Sequence, residues 1–208
     1  MVAVAAAGVV ARGDRVPHND AMTIVLIVLG VLVVGFLLFA VIAFNKLRTS
    51  DIAAQEALGG IDVQLTRRAD LIPNLVATVK GYAAHEKGVF EEVTRARAGL
   101  QKAAAGNDVA EKAAADAQLQ GALVSLNAVA ENYPELQANE NFLDLQRQLA
   151  DTENQLSFAR QYYNDAVAKL NTLVRTLPWL LFTGIAGVKQ REFYEAPAGH
   201  EQAPTVQF

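Results

Sequence analysis

The 208-residue chain has no cysteine. That single absence excludes disulfides, zinc–thiolate sites, iron–sulfur clusters and thiol nucleophiles together. Histidine is nearly as scarce: the chain holds three, His18, His85 and His200. None has a second ligand at helical spacing, so the His-Glu-x-x-His pattern of zinc hydrolases is missing. Gly-x-Ser-x-Gly elbows and phosphate-cradling glycine loops are missing too. A basic excess is also lacking, since residues 45–208 carry 16 Lys and Arg against 20 Asp and Glu. Nucleic-acid binders gather basic charge on one face, because phosphate neutralisation supplies most of their affinity. The sequence therefore points away from nucleic acid, calls for no cofactor or metal, and makes catalysis a poor expectation.

What the chain has in abundance is apolar side chains, 52% of the total, unevenly spread. From Ala21 to Phe44 no residue is charged, and Thr23 alone has a polar side chain. At about 1.5 Å rise per residue this run makes a helix of about 36 Å, enough to cross a hydrocarbon core of about 30 Å. Residues 21–44 are therefore read as a single transmembrane helix facing membrane lipid. The alternative is a cleaved signal peptide, suggested by the small residues of Val41-x-Ala43. A signal peptide's apolar stretch is only about 7–15 residues, and this run is much longer. Residues 1–20 are Ala/Val-rich and end in a polar cluster, which reads as a disordered leader or a mis-called start upstream of Met22. Lys46 and Arg48 flank one side of the span and Arg12 and Arg15 the other. Under the rule that places Lys and Arg in the cytoplasm, the full chain is a tie. A start at Met22 favours a cytoplasmic C-terminal part.

The remainder reads as helix. Leu58, Ile61, Leu65, Ala69 and Ile72 repeat on one helical face. Pro73 is expected to end that helix near Leu71 and start another. The second would carry Leu75, Val79, Tyr82, Val89, Val93, Ala96 and Leu100. Gly106-Asn107-Asp108 supplies a stop and an N-cap, and a third helix runs from about Val109 to Ala130. Its first half is alanine-rich, which favours helix but offers little to bury.

The longest element follows, free of glycine and proline from Glu135 to Leu177. Phe142, Leu149, Leu156, Tyr163, Leu170 and Leu177 lie seven apart, with Leu145, Thr152, Ala159, Ala166 and Leu173 as a second seam. Such a repeat keeps its seam facing neighbouring helices. The small residues in the second seam argue for close packing inside a bundle; self-association as a coiled coil is the alternative. Only Arg191 to Glu195 alternates weakly like a strand. Residues 196–208 read as a disordered tail. The fold expected is all-α: the membrane helix, then an antiparallel four-helix bundle over residues 45–195.

Polar residues stand out where core or junction is expected. Arg67, Arg68 and Asp70 precede Pro73, and Asn74 follows it. Glu131-Asn132-Tyr133-Pro134 forms the next junction. Glu153, Arg160, Asn164 and Asn171 lie on the long helix. Glu153 and Arg160 are two turns apart on one face, so a buried network is expected in which Arg160 pairs with Glu153 or Asp70. Tyr82, Tyr133 and Trp179, near helix ends, are candidates for partner contacts.

Three blocks carry a family signature: IDVQLTRRADLIPNLVATVKGYAAHEK (61–87), VAENYPELQANENFLDLQRQLADTENQL (129–156) and ARQYYNDAVAKLNTLVRTLPWLL (159–181). In this order, behind an N-terminal membrane helix, they closely resemble the LemA family of bacterial membrane proteins. The resemblance implies an antiparallel four-helix bundle on one span, with no established catalytic activity. It further implies a role in membrane-associated interaction, with a membrane protease or a TPM-type protein as a possible partner. The family's motif residues fall here on Arg67, Asp70, Pro73, Asn74, Glu131, Asn132, Tyr133, Pro134, Arg160, Tyr163, Asn164 and Asn171. Leu170 stands where members commonly have tyrosine, and Leu177-Pro178 where they have Phe-Pro. The function expected is a non-enzymatic, single-pass protein presenting a helical bundle to other proteins. The alternatives are an enzyme subunit or a small-ligand module built on Glu131, Arg160 and Asn164.

Overall fold

The computed structural model describes residues 18–195. Residues 1–17 and 196–208, which hold most of the expected leader and all of the expected tail, lie outside the described residues. Among the described residues the elements are helical, with no strand. They are α1 (His18–Lys80), α2 (Lys87–Ala105), α3 (Val109–Glu131), α4 (Pro134–Gln137), α5 (Glu140–Arg175), a 3-10 turn (Trp179–Phe182) and α6 (Thr183–Ala186). The chain divides into two compact units, one up to Ala43 and one from Phe44 onward.

The first unit is the N-terminal part of α1. It is long and apolar enough to cross a membrane, and from Met22 to Leu38 every side chain is exposed. A helix apolar on all sides satisfies its backbone internally, and its natural surroundings are hydrocarbon rather than water.

The second unit begins as the expected stripe. Leu47, Ala54, Leu58, Ile61, Leu65, Ala69, Ile72, Leu75 and Val79 are buried along α1. Pro73 does not end the helix, contrary to expectation; α1 runs through it to Lys80, and the turn comes at Gly81–Glu86. Proline at position 73 has no N–H for the carbonyl of Ala69, four residues back. That carbonyl instead accepts a bond from Arg97 Nε of α2 at 2.8 Å. The helix continues because a neighbour takes over the lost bond.

Asp108 caps α3 by accepting from Glu111 N at 3.0 Å, and Asn139 caps α5 by accepting from Phe142 N at 3.0 Å. Cross-helix pairs fix the directions. Asp62 pairs with Lys112, and Arg68 with Asp116 and Gln120, so α1 and α3 run the same way. Asp116 pairs with Arg160, and Asn127 with Gln146, so α3 and α5 run oppositely.

The α5 seam departs from the heptad expectation in an instructive way. Leu145, Leu149, Thr152 and Leu156 are buried, and so are Tyr163, Val167, Leu170 and Val174, each eighteen residues on, or five turns at about 3.6 residues. A straight helix drifts against a seven-residue repeat, so burial passes from Ala166 and Leu173 to Val167 and Val174, while Leu177 is exposed. By the same offset Arg160 occupies the place that Phe142 holds further up. A cation sits in the core seam.

Candidate functional site

Three helices bring charge to one level of the second unit. From α1 comes Arg68, from α3 Asp116, and from α5 Glu153 and Arg160. Arg68 and Asp116 are buried. Arg68 Nη1 lies 2.6 Å from Asp116 Oδ1 and 2.9 Å from Glu153 Oε2. Arg160 Nη1 lies 3.3 Å from Glu153 Oε1, and its Nη2 pairs with Asp116 Oδ2. Arg68 also donates to Gln120 Oε1. Two guanidinium groups thus face two carboxylates, and the charges cancel. The Tyr194 ring, from the segment after α6, lies over Arg160 with its centroid 5.3 Å from the guanidinium carbon.

Burial raises the pKa of Asp116, with Arg68 and Arg160 pulling the other way. Burial pulls Arg160 down, but Asp116, Tyr194 and Glu153 more than offset it, and the net shift is upward. The Tyr194 phenol is raised strongly by burial. The upward shifts favour a charged Arg160 and a neutral Tyr194.

A second buried cation lies along α3. Lys112 is wholly enclosed and donates to Asp62 of α1 and to the Ala104 carbonyl at 2.9 Å. Ala104 belongs to the last turn of α2, whose carbonyls lack helical partners and favour a cation. Lys112, Asp116 and Gln120 follow at four-residue steps, so one face of α3 supplies the polar groups that Asp62 and Arg68 of α1 meet on that helix.

A third feature is neutral. After α6, Gly187 adopts φ +64°, a left-handed conformation that suits glycine. The chain then returns along α5 as an extended strap. Asn164 donates to Tyr194 O at 3.1 Å and accepts from Tyr194 N at 2.8 Å. Asn171 does the same for Arg191, at 2.9 and 3.0 Å. Seven helical residues rise about 10.5 Å, and three extended residues span about 10 Å. The two asparagines therefore meet the strap in step. Tyr163, buried beside Asn164, donates to Glu192 O at 2.9 Å, and Arg191 Nε bonds Asp51 at 2.8 Å. The weak alternation of Arg191 to Glu195 is thus an extended segment paired with side chains, not a strand.

The expected residues do not form one site. Arg160 pairs with Glu153 as expected but not with Asp70, which is exposed. Glu131 is exposed at the end of α3, fifteen residues or about 22 Å along the helix from Asp116, so Glu131, Arg160 and Asn164 are not one constellation. Asn132 caps α3, its Nδ2 donating to Ala128 O at 3.2 Å, and Pro134 opens α4 behind a half-buried Tyr133. Asn74 and Pro73 are exposed on α1. Arg67 is exposed too, 3.6 Å from Asp151 and 3.3 Å from Gln155 of α5. Lys112, Asp116, Gln120, Arg97, Arg191 and Tyr194 escaped sequence reasoning. The signal for three of them was four-residue spacing of polar groups in an alanine-rich helix, where small neighbours let helices approach closely. Among the described residues no group of three or more His, Asp or Glu is placed to hold a metal. A cleft of about 230 Å³ opens beside the charge layer, lined by Arg68, Gln120, Leu123, Val124, Leu149 and Glu153.

An apolar N-terminal helix and helices locked by internal ion pairs define a membrane-associated helical protein. The LemA family model matches residues 57–208, and the chain belongs to that family. It is similar to the magnetosome protein MamQ of Magnetospirillum gryphiswaldense, 27% identical over 198 residues, which covers 84% of this chain and 73% of that protein. It is likewise 27% identical over 207 residues to the magnetosome proteins MamQ 1 and MamQ 2 of Paramagnetospirillum magneticum, covering 88% of this chain and 76% of each.

Proposed function

We propose that the chain is a non-enzymatic, single-pass protein of the bacterial inner membrane that presents its helices to a protein partner, with the C-terminal part in the cytoplasm. The observation that carries this is an aromatic pair on the outer face of α5. Phe158 is 72% exposed and Tyr162 65%, one turn apart. The core of this unit is already filled by its own side chains, so two large rings left outside mark a contact surface. The charge layer supports the same reading. Its cations and carboxylates neutralise one another, which suits holding helix register better than turning over a substrate.

Photo-crosslinking in the native membrane tests it. With benzoylphenylalanine at position 158 or 162, discrete adducts are expected, and with the probe at exposed Asp165 they should be weaker. Equal or absent adducts at all three positions would remove the proposal. An adduct of twice the chain's mass identifies self-association, and a different mass a separate partner, such as a membrane protease. A second reading, a small-ligand module, is favoured by the cleft beside Arg68 and Glu153. A ligand there would raise the melting temperature by mass action, and Glu153→Gln should blunt that rise.

A further inference from the structure

Between Arg175 and Lys189 the chain carries no charge. This stretch forms the 3-10 turn and α6, and it is anchored from within by buried Phe182, Ala186 and Val188. Its outer side is aliphatic: Leu177 is 70% exposed, Leu180 46%, Leu181 69% and Ile185 76%. Four large aliphatic side chains in one short loop, with their neighbours well packed, are more than incidental surface.

The position of the loop identifies what covers it. Lys46 and Ser50 of α1 line one cleft with Lys169, Thr172 and Leu173 of α5, and Arg191 bonds Asp51. Further up, Leu75 of α1 lines a cleft with Gln146 and Leu149 of α5, so the two helices run oppositely. Going from Thr172 to Leu177 therefore continues past the level of Lys46 towards Phe44. Phe44 ends the apolar run. Covalent linkage alone keeps this end of the unit at the membrane surface, given that residues 21–44 span it. Exposed Lys46, Lys169, Arg175 and Lys189 lie around the same end, the charge that anionic headgroups attract.

We propose that the loop 177–186 inserts its aliphatic side chains into the headgroup–acyl boundary of the leaflet next to Phe44, a second membrane contact beside the span. The proposal shares the span with the reading above, so the test separates the two.

The chain lacks cysteine, so a single introduced thiol is unique. Ile185→Cys, Val33→Cys and His85→Cys would each be labelled with an environment-sensitive fluorophore. Each full-length protein would then be reconstituted in vesicles of phosphatidylethanolamine and phosphatidylglycerol. Lipids spin-labelled at two depths and aqueous iodide serve as quenchers. The expected result is deep lipid quenching at position 33, shallow lipid quenching at 185 with a blue-shifted emission, and iodide quenching at 85. Position 185 quenched by iodide while 33 is quenched by lipid would overturn the loop contact and leave the span standing. Position 33 open to iodide would overturn both. A blue shift at 185 that grows with the protein-to-lipid ratio and escapes lipid quenchers would mean that a second copy covers the loop, and would equally overturn the proposal.

Discussion

The charge layer and the strap hold polar groups on neighbouring parts of α5 by opposite means. At Arg160 the helix offers a cation to a buried carboxylate, and every partner must be present for the burial to be tolerable. At Asn164 and Asn171 it offers neutral amides to a backbone that could otherwise be satisfied by water. The first arrangement commits three helices to one register. The second docks a single segment along α5, with one further tie to α1 through Arg191 and Asp51. A buried charge is costly to orphan, about 3–5 kcal/mol, whereas a neutral bond contributes about 1 kcal/mol net. The two regions should therefore fail differently.

The largest effect is expected on removing Arg68. Arg68→Ala leaves Asp116 buried with Arg160 alone, and Glu153 loses a partner 2.9 Å away. The loss should be about 3–5 kcal/mol, or about 10 °C in melting temperature for a unit of this size. Arg160→Ala should cost less, because that side chain is partly exposed and water can enter its place. Thermal melts of the reconstituted chain followed by helical circular dichroism check the order. A smaller loss for Arg68→Ala than for Arg160→Ala would show that the layer is solvated.

Opening the strap should do something else. In the double variant Asn164→Ala and Asn171→Ala four hydrogen bonds disappear, each of about 0.5–1.5 kcal/mol. The strap can leave and hydrate, so the loss is capped by its own docking energy. Amide exchange at Arg191 and Tyr194 should accelerate strongly while the helical melt moves by only a few degrees. A melt that falls as far as that of Arg68→Ala would mean that Tyr194 over Arg160 holds the charge layer together.

Legibility in the sequence follows the same division. Apolar stripes, the span and the cap at Asp108 are local patterns, and they are readable as such. Asn164 and Asn171 stand out by their spacing, yet what they hold lies beyond a turn that no periodicity announces. Arg160 and Glu153 are visible as a pair on one helix. Asp116 is not, because in a run of alanines a lone carboxylate looks like any solvated residue until α1 and α5 are placed around it. The false break at Pro73 has the same origin. Proline's local preference is real, but the group that overrides it sits on another helix.

That override gives the smallest effect and the sharpest intermediate case, a cation serving a neutral carbonyl. Arg97→Ala leaves Ala69 O without its 2.8 Å donor, at a cost of about 1–3 kcal/mol for an orphaned buried acceptor. In a Pro73→Ala background residue 73 regains an N–H, which can bond Ala69 O within the helix. There Arg97→Ala should cost about 1 kcal/mol less than in the parent chain, a coupling that a double-mutant cycle on urea or thermal unfolding measures directly. Strict additivity would mean that the arginine does not replace the bond that proline removes, and the continuity of α1 would then rest on packing alone. A positive coupling would place Arg97 between the two regimes, charged like the layer but answering, like the asparagines, to the backbone.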